Sequence, residues 1–196
     1  MNRPAPGDCL GQKLLILGDV NSGKTTLART ILQSFCALGL GSRIAIVDLA
    51  PAIPHEIAAA RGVQGAGGAL AADPATGVLQ VHPALEAPRL TSSSDSQARQ
   101  KAAANKQRIE AGWPHLAAAG RDILFLNDAS LYLQAGSADE LVAKMQGLHT
   151  VVANGYFGER LGGGELTRHE RVEMERLRAW FERRGRVLVL DSTDSS

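Results

Sequence analysis

Cysteine is nearly absent from the chain: Cys9 and Cys36 are the two present, and they lack C-x-x-C spacing. This excludes a disulfide framework and a thiolate zinc site as organising devices, and it fits a reducing, cytoplasmic setting. His55, His82, His115, His149 and His169 show no paired ligand spacing either. No apolar run approaches a transmembrane span, and the opening residues, with Pro4, Pro6, Gly7, Asp8 and Gly11, lack the apolar stretch of a signal peptide. The expectation is a chain with no membrane contact. An excess of one charge is missing too: the formal net charge of +1 offers no global attraction for nucleic acid or anionic lipid. No internal repeat is found. What remains, 196 residues at 44% hydrophobic, suffices for one well-buried domain over residues 1–196, with 1–11 expected as a loose tail.

Against that plain background one stretch stands out. Gly18-Asp19-Val20-Asn21-Ser22-Gly23-Lys24-Thr25 fits the G-x-x-x-x-G-K-[ST] phosphate-binding loop at every fixed position. An apolar strand-length run, Lys13 to Leu17, precedes it, and a helical pattern from Thr26 follows. Gly18 and Gly23 let the backbone curl so that successive N–H groups converge on one anion. Lys24 is then placed to reach the β- and γ-phosphates, and the Thr25 hydroxyl to ligate Mg²⁺. The expected nucleotide-binding residues are Gly18, Asp19, Val20, Asn21, Ser22, Gly23, Lys24, Thr25 and Thr26, with ATP or GTP as the ligand.

The rest of the chain alternates in the manner of a parallel α/β fold. Arg43 to Asp48 reads as a second strand, apolar on both faces and ending in a carboxylate, so Asp48 should project toward the phosphates. Leu49 to Gly120 is the least regular part. Glu56 to Arg61 reads as a short helix ahead of Gly62, Gly65, Gly67 and Gly68, and Val78 to Val81 as a short strand. Residues 88–110 read as a connector and basic helix. Within it Gln97 to Arg108 carries Arg99, Lys101, Lys106 and Arg108 without an acid, as a solvated helix face or as a mobile arm for a polyanion. Asp122 to Asp128 is an apolar strand ending in acid, the pattern of a Walker B element. Asp128 is the expected metal-side partner of Thr25, with Asn127 beside it. A helix around Leu141 to Leu148 and a strand at Thr150 to Ala153 follow; Asn154 is all that remains of a guanine-reading Asn-Lys-x-Asp motif. Thr167-Arg168-His169-Glu170 fits a capping box for a helix through Arg184, and Arg186 to Asp191 supplies the last strand. The fold expected is a three-layer α/β P-loop NTPase with a mostly parallel sheet of about five to seven strands.

Taken together, Leu17 to Arg29, Val47-Asp48-Leu49-Ala50-Pro51 and Leu126-Asn127-Asp128 resemble the P-loop domain of the SIMIBI class. Within it the chain is most similar to the RNA 5′-hydroxyl polynucleotide kinases of the cleavage-factor type, and next to the GPN-loop GTPases. The resemblance implies that Asp48 coordinates Mg²⁺ or activates the attacking oxygen, joining Lys24 as a catalytic residue and Thr25 and Asp128 as metal residues. Ala50 stands where those families have a second Asp, and no Gly-Pro-Asn insertion is present.

Two functions follow as expectations. One is a nucleotide-hydrolysing switch or assembly factor with water as acceptor and a protein partner or second copy as its target. The other is a phosphotransferase acting on an RNA 5′-hydroxyl or a small molecule, with Asp48 as base and the basic helix holding the substrate. The balanced charge and the absence of the domains common in the RNA kinases favour the switch.

Overall fold

Short β-branched and leucine-rich runs, apolar at consecutive positions, form six strands: β1 (Lys13–Gly18), β2 (Ile44–Asp48), β3 (Leu79–Val81), β4 (Ile123–Asn127), β5 (Thr150–Tyr156) and β6 (Arg186–Leu190). The structure, a computed structural model, describes residues 5–60, 68–158, 160 and 163–191. All the strand pairings are parallel, in the order β3-β2-β4-β5-β1-β6. Seven helices are described: α1 (Lys24–Ala37), α2 (His55–Ala60), α3 (Pro88–Thr91), α4 (Asp95–Ala118), α5 (Ser130–Leu133), α6 (Ala138–Met145) and α7 (Glu165–Arg184).

Period-2 alternation explains why the strands are apolar throughout. Leu14, Ile16, Ile44, Ile46, Ile123 and Phe125 face α1, where they meet Leu27, Ile31, Leu32 and Phe35. Leu15, Leu17, Val47, Leu124, Leu126 and Ala153 face the opposite layer, built on Ile109 of α4, Tyr132 of α5, Leu141 of α6 and Leu177 and Phe181 of α7. The four inner strands β2, β4, β5 and β1 are therefore buried on both sides, and the molecule is a three-layer α/β fold as its sequence leads one to expect. Phe35 and Phe125 meet edge to face at 5.8 Å between ring centroids, fixing the C-terminal part of α1 to the sheet.

The ends of the elements depart from the sequence pattern where long-range contacts intervene. Residues 5–11 are not a loose tail. Pro6–Cys9 forms a 3-10 turn, and Cys9 is buried against the α1 layer. The glycines at 62, 65 and 67 lie outside the described residues. The segment 88–110 is no isolated basic arm: α4 runs on to Ala118 despite Pro114, capped by Ser94, whose Oγ accepts from the Gln97 N–H. Its cations meet acids from other elements. Arg99 pairs with Glu165, Lys106 with Glu140 at 2.7 Å, and Lys101 and Arg108 both with Glu86, at 3.1 and 3.8 Å. The capping box expected at Thr167 and Glu170 does not form, because α7 begins at Glu165 after Gly164 and the Glu170 side chain turns inward. A capping box does form at Ser137 and Glu140, at the start of α6.

Register positions the functional end. Asp48 pairs with Asn127, Leu126 with Ala153, and Gly18 with Tyr156, so the C-terminal ends of β2, β4, β5 and β1 share one rim of the sheet. Ligand crevices of open parallel sheets lie at that rim.

Candidate functional site

The loop between β1 and α1 curls through Gly18 (φ 157°), Asn21 (φ 62°) and Gly23 (φ 85°). Glycine and asparagine adopt positive φ at the least cost. At Gly18 there is also no room for a side chain: a Cβ would lie 2.5 Å from Ser22 Oγ and 2.6 Å from the Leu190 carbonyl oxygen. Lys24 opens α1, and its Nζ donates to the Asp19 carbonyl oxygen at 2.5 Å and to Ser22 Oγ at 3.4 Å. Burial pushes the Lys24 ammonium below its ordinary range, against the pull of Asp128 and Asp19. A cation held in this way is stabilised by an incoming anion.

A cleft of about 410 Å³ opens over the loop. Val20, Asn21, Gly23, Lys24, Thr25 and Thr26 line it, as do Arg29, Ala50, Gly68, Asn127, Asp128, Asn154 and Tyr156. Gly18, Asp19 and Ser22 support the loop from behind: Asp19 Oδ1 accepts from the Val20 N–H at 2.6 Å, and Ser22 is buried. Asp128 is the only carboxylate among these lining residues.

Asn127, at the end of β4, ties the rim together. Its Oδ1 accepts from the Thr25 hydroxyl at 3.3 Å and from Asn154 Nδ2 at 2.7 Å. Its Nδ2 donates to Asp48 Oδ1 at 2.7 Å and to the Gly68 carbonyl at 3.0 Å. The hydroxyl of Thr25 is thus hydrogen-bonded to Asn127, the neighbour of Asp128 at the same strand end. Asn154 Oδ1 accepts from the Asp128 N–H at 2.9 Å, so both ends of its amide are engaged within the protein. Asn127→Ala should leave several buried polar groups unpaired and lower the unfolding free energy by about 3 kcal/mol. Urea denaturation checks this, and a loss within about 0.5 kcal/mol would show that the network is unimportant.

The two strand-end acids are placed very differently. Asp48 is 4% exposed and does not line the cleft. Its Oδ1 also accepts from the Ala50 N–H at 3.1 Å, its Oδ2 accepts from the Leu70 N–H at 3.1 Å, and His82 Nδ1 lies 3.3 Å from Oδ2. The carboxylate organises the chain on either side of residues 61–67 and orients Asn127. Asp128 faces the cleft from a left-handed backbone (φ 58°) and accepts a hydrogen bond from the Ser130 hydroxyl. Desolvation pushes its carboxyl above the usual range, outweighing Ser130, Lys24 and Arg89.

Beyond Asp128 lies a buried ion pair with no signal in the sequence. Arg89 of α3 sits 5.0 Å over the Tyr156 ring, and its Nη2 lies 3.0 and 2.8 Å from the two carboxylate oxygens of Glu170. Burial nevertheless pushes the Glu170 carboxyl from 4.5 up to about 7. The native state therefore holds that proton more tightly than the unfolded chain. The resulting stabilisation is complete below about pH 4.5 and is lost as pH rises to about 7, a change of about 3 kcal/mol. Glu170→Gln should flatten this slope in urea midpoints measured across that window, and an unchanged slope would remove Glu170 as its source.

Mg²⁺, which such loops commonly use, prefers oxygen ligands and retains several waters. Thr25 Oγ1, Asn127 Oδ1 and Asp128 are oxygen donors at one rim and fit that chemistry. Among the described residues no group of three or more His, Cys, Asp or Glu could hold a metal ion by itself, so the protein would share such an ion with phosphate oxygens.

Strand, glycine loop and helix at the rim of an all-parallel sheet define a fold of the P-loop NTPase type. No protein-family model matches the chain, and neither does any curated protein. Among solved structures it is similar to the flagellar accessory protein FlaH from Methanocaldococcus jannaschii, at 12% identity and a TM-score of 0.42, covering 88% of this chain and 75% of that one. It is also similar to the Pyrococcus furiosus Hef helicase domain, at 14% identity and a TM-score of 0.42, covering 96% of this chain and 37% of that one. No helix among the described residues is long and apolar enough to cross a membrane.

Proposed function

We propose that the protein binds ATP or GTP with Mg²⁺ and hydrolyses it, water being the acceptor. The observation that carries this reading is the cleft over the phosphate loop, with Lys24 at its base and Asp128 as its only lining carboxylate. The loop amides and Lys24 hold the β- and γ-phosphates and stabilise the charge that develops on them during transfer. Bound Mg²⁺, held by the Thr25 hydroxyl with Asn127 and Asp128 around it, would neutralise further phosphate charge. Asp128, the carboxylate that faces the cleft, orients the attacking water and accepts its proton. Asp48, expected as a catalytic and metal residue, acts instead through Asn127, as a positioning residue. The pairing of Arg99, Lys101, Lys106 and Arg108 with acids supports water over an RNA 5′-hydroxyl as acceptor, because those cations are already neutralised.

A γ-phosphate-labelled nucleotide distinguishes the acceptors. Label should appear in free phosphate, at a rate indifferent to added 5′-hydroxyl RNA; transfer to the RNA end would overturn the hydrolytic reading.

A further inference from the structure

The two edges of the sheet are built differently. β3 closes one side with three residues, and Pro83 follows two positions on, so this edge offers another chain little to pair with. β6 closes the other side with five residues that pair, among the described residues, with β1 alone. Leu188 is buried against the α1 layer, and Val187 and Val189 pack against the α7 layer. An unbroken apolar run of this kind belongs to an interior strand. Natural edge strands are guarded by a lysine, a proline, a bulge or a charge within the strand. Val187-Leu188-Val189-Leu190 has no such residue, and its register with β1 runs without a bulge. Among the described residues no hydrogen bond outside the β1 ladder reaches the β6 backbone. Its outward N–H and C=O groups therefore form a template for another strand.

Charges at the two ends of β6 select that strand. Arg186 opens it and Asp191 follows it; both are exposed, and neither has an ion-pair partner among the described residues. An apolar strand with an acid against Arg186 and a base against Asp191 satisfies both. β6 of a second copy meets this requirement when it runs antiparallel, whereas a parallel copy would set Arg186 against Arg186. We propose that the protein forms a two-fold dimer through β6, antiparallel and centred on Leu188, with each Arg186 beside Asp191 of the second copy. The two sheets then become one continuous sheet. Centring on Leu188 keeps both α1 layers on one face and both α7 layers on the other, because residues directly opposite in an antiparallel pair share a face. No β6 residue lines the cleft, so the dimer does not depend on the nucleotide reading and is tested without nucleotide.

Sedimentation equilibrium of the full chain over about 1–100 μM should show a mass that levels off at two copies. Amide exchange at Val187, Leu188, Val189 and Leu190 should slow as the protein concentration rises. Arg186→Asp sets like charges together at both ends of the interface and should weaken the dimer about tenfold or more. Combining Arg186→Asp with Asp191→Arg restores opposite charges and should return the dissociation constant to within about threefold of the wild type. Both positions are exposed, so the core is undisturbed in either variant. A monomer at about 100 μM, a range that reveals even modest interfaces, would overturn the proposal. So would a mass that climbs past two copies, or a dimer that ignores Arg186→Asp or is not rescued by the double change. Exchange at β6 that is slow at every concentration would overturn it as well, since the edge would then be covered within a single chain.

Discussion

Lys24→Ala is expected to weaken Mg²⁺-ATP or Mg²⁺-GTP binding by about two orders of magnitude, on the order of 3 kcal/mol. The argument rests on where the cation sits. Its Nζ donates to the Asp19 carbonyl and approaches Ser22 Oγ, neutral acceptors, in a position whose desolvation outweighs the nearby charges of Asp128 and Asp19. Anionic phosphate oxygens replace them with charge-assisted bonds, which are about twice as strong as neutral ones. The loop backbone does not depend on this side chain for its shape, because Gly18, Asn21 and Gly23 set its curl. The variant should therefore fold as the wild type does. Calorimetry with each nucleotide measures the loss, and an unchanged affinity would mean that triphosphate does not occupy this loop.

Asp128→Asn is expected to lower the rate of phosphate release by about 10²–10⁴-fold, the usual worth of a positioned general base. Nucleotide affinity should change far less, since the residue acts on the attacking water and so mainly in the transition state. Asp48→Asn should slow turnover less than Asp128→Asn while costing more stability, because the Asp48 oxygens accept from Ala50, Leu70 and Asn127 inside the protein. This order reverses the one suggested by the strand-end position of Asp48 and by its resemblance to a kinase motif. Phosphate release and urea unfolding measured on both variants decide it. If Asp48→Asn proved the slower enzyme at wild-type stability, Asp48 would be the base after all.

The different placement of the two acids shows how far strand-end reasoning reaches. Both acids sit where a parallel sheet places ligand-side residues, and the pairing of Asp48 with Asn127 put them on the same rim as expected. A strand end does not say which way the next side chain turns. Asp128 turns to the cleft because its backbone takes a left-handed conformation, with its N–H held by Asn154 and its carboxylate by Ser130. Asp48 turns away because Asn127, the neighbouring Ala50 amide and the Leu70 amide hold its carboxylate. Helix ends behave likewise. Ser137 and Glu140 make a capping box from purely local contacts, whereas at Thr167 the local pattern loses to Arg89, which draws Glu170 into the interior.

What the sequence alone determined is what rests on local geometry and periodicity. The glycine positions and Lys24 and Thr25 specify the phosphate loop, because backbone curl and helix start follow from neighbouring residues. The apolar strand runs specify a sheet covered on both faces, because burial is the only stable place for them. What tertiary structure alone decided is everything that depends on partners far along the chain. It made Asn127 the partner of Thr25, neutralised the α4 cations with Glu86, Glu140 and Glu165, and placed Arg89 beside Tyr156 and Glu170. The physical reason is that hydrogen bonds and ion pairs are read by distance in space. Residues 81 positions apart, such as Arg89 and Glu170, leave no mark of their meeting in composition, spacing or period.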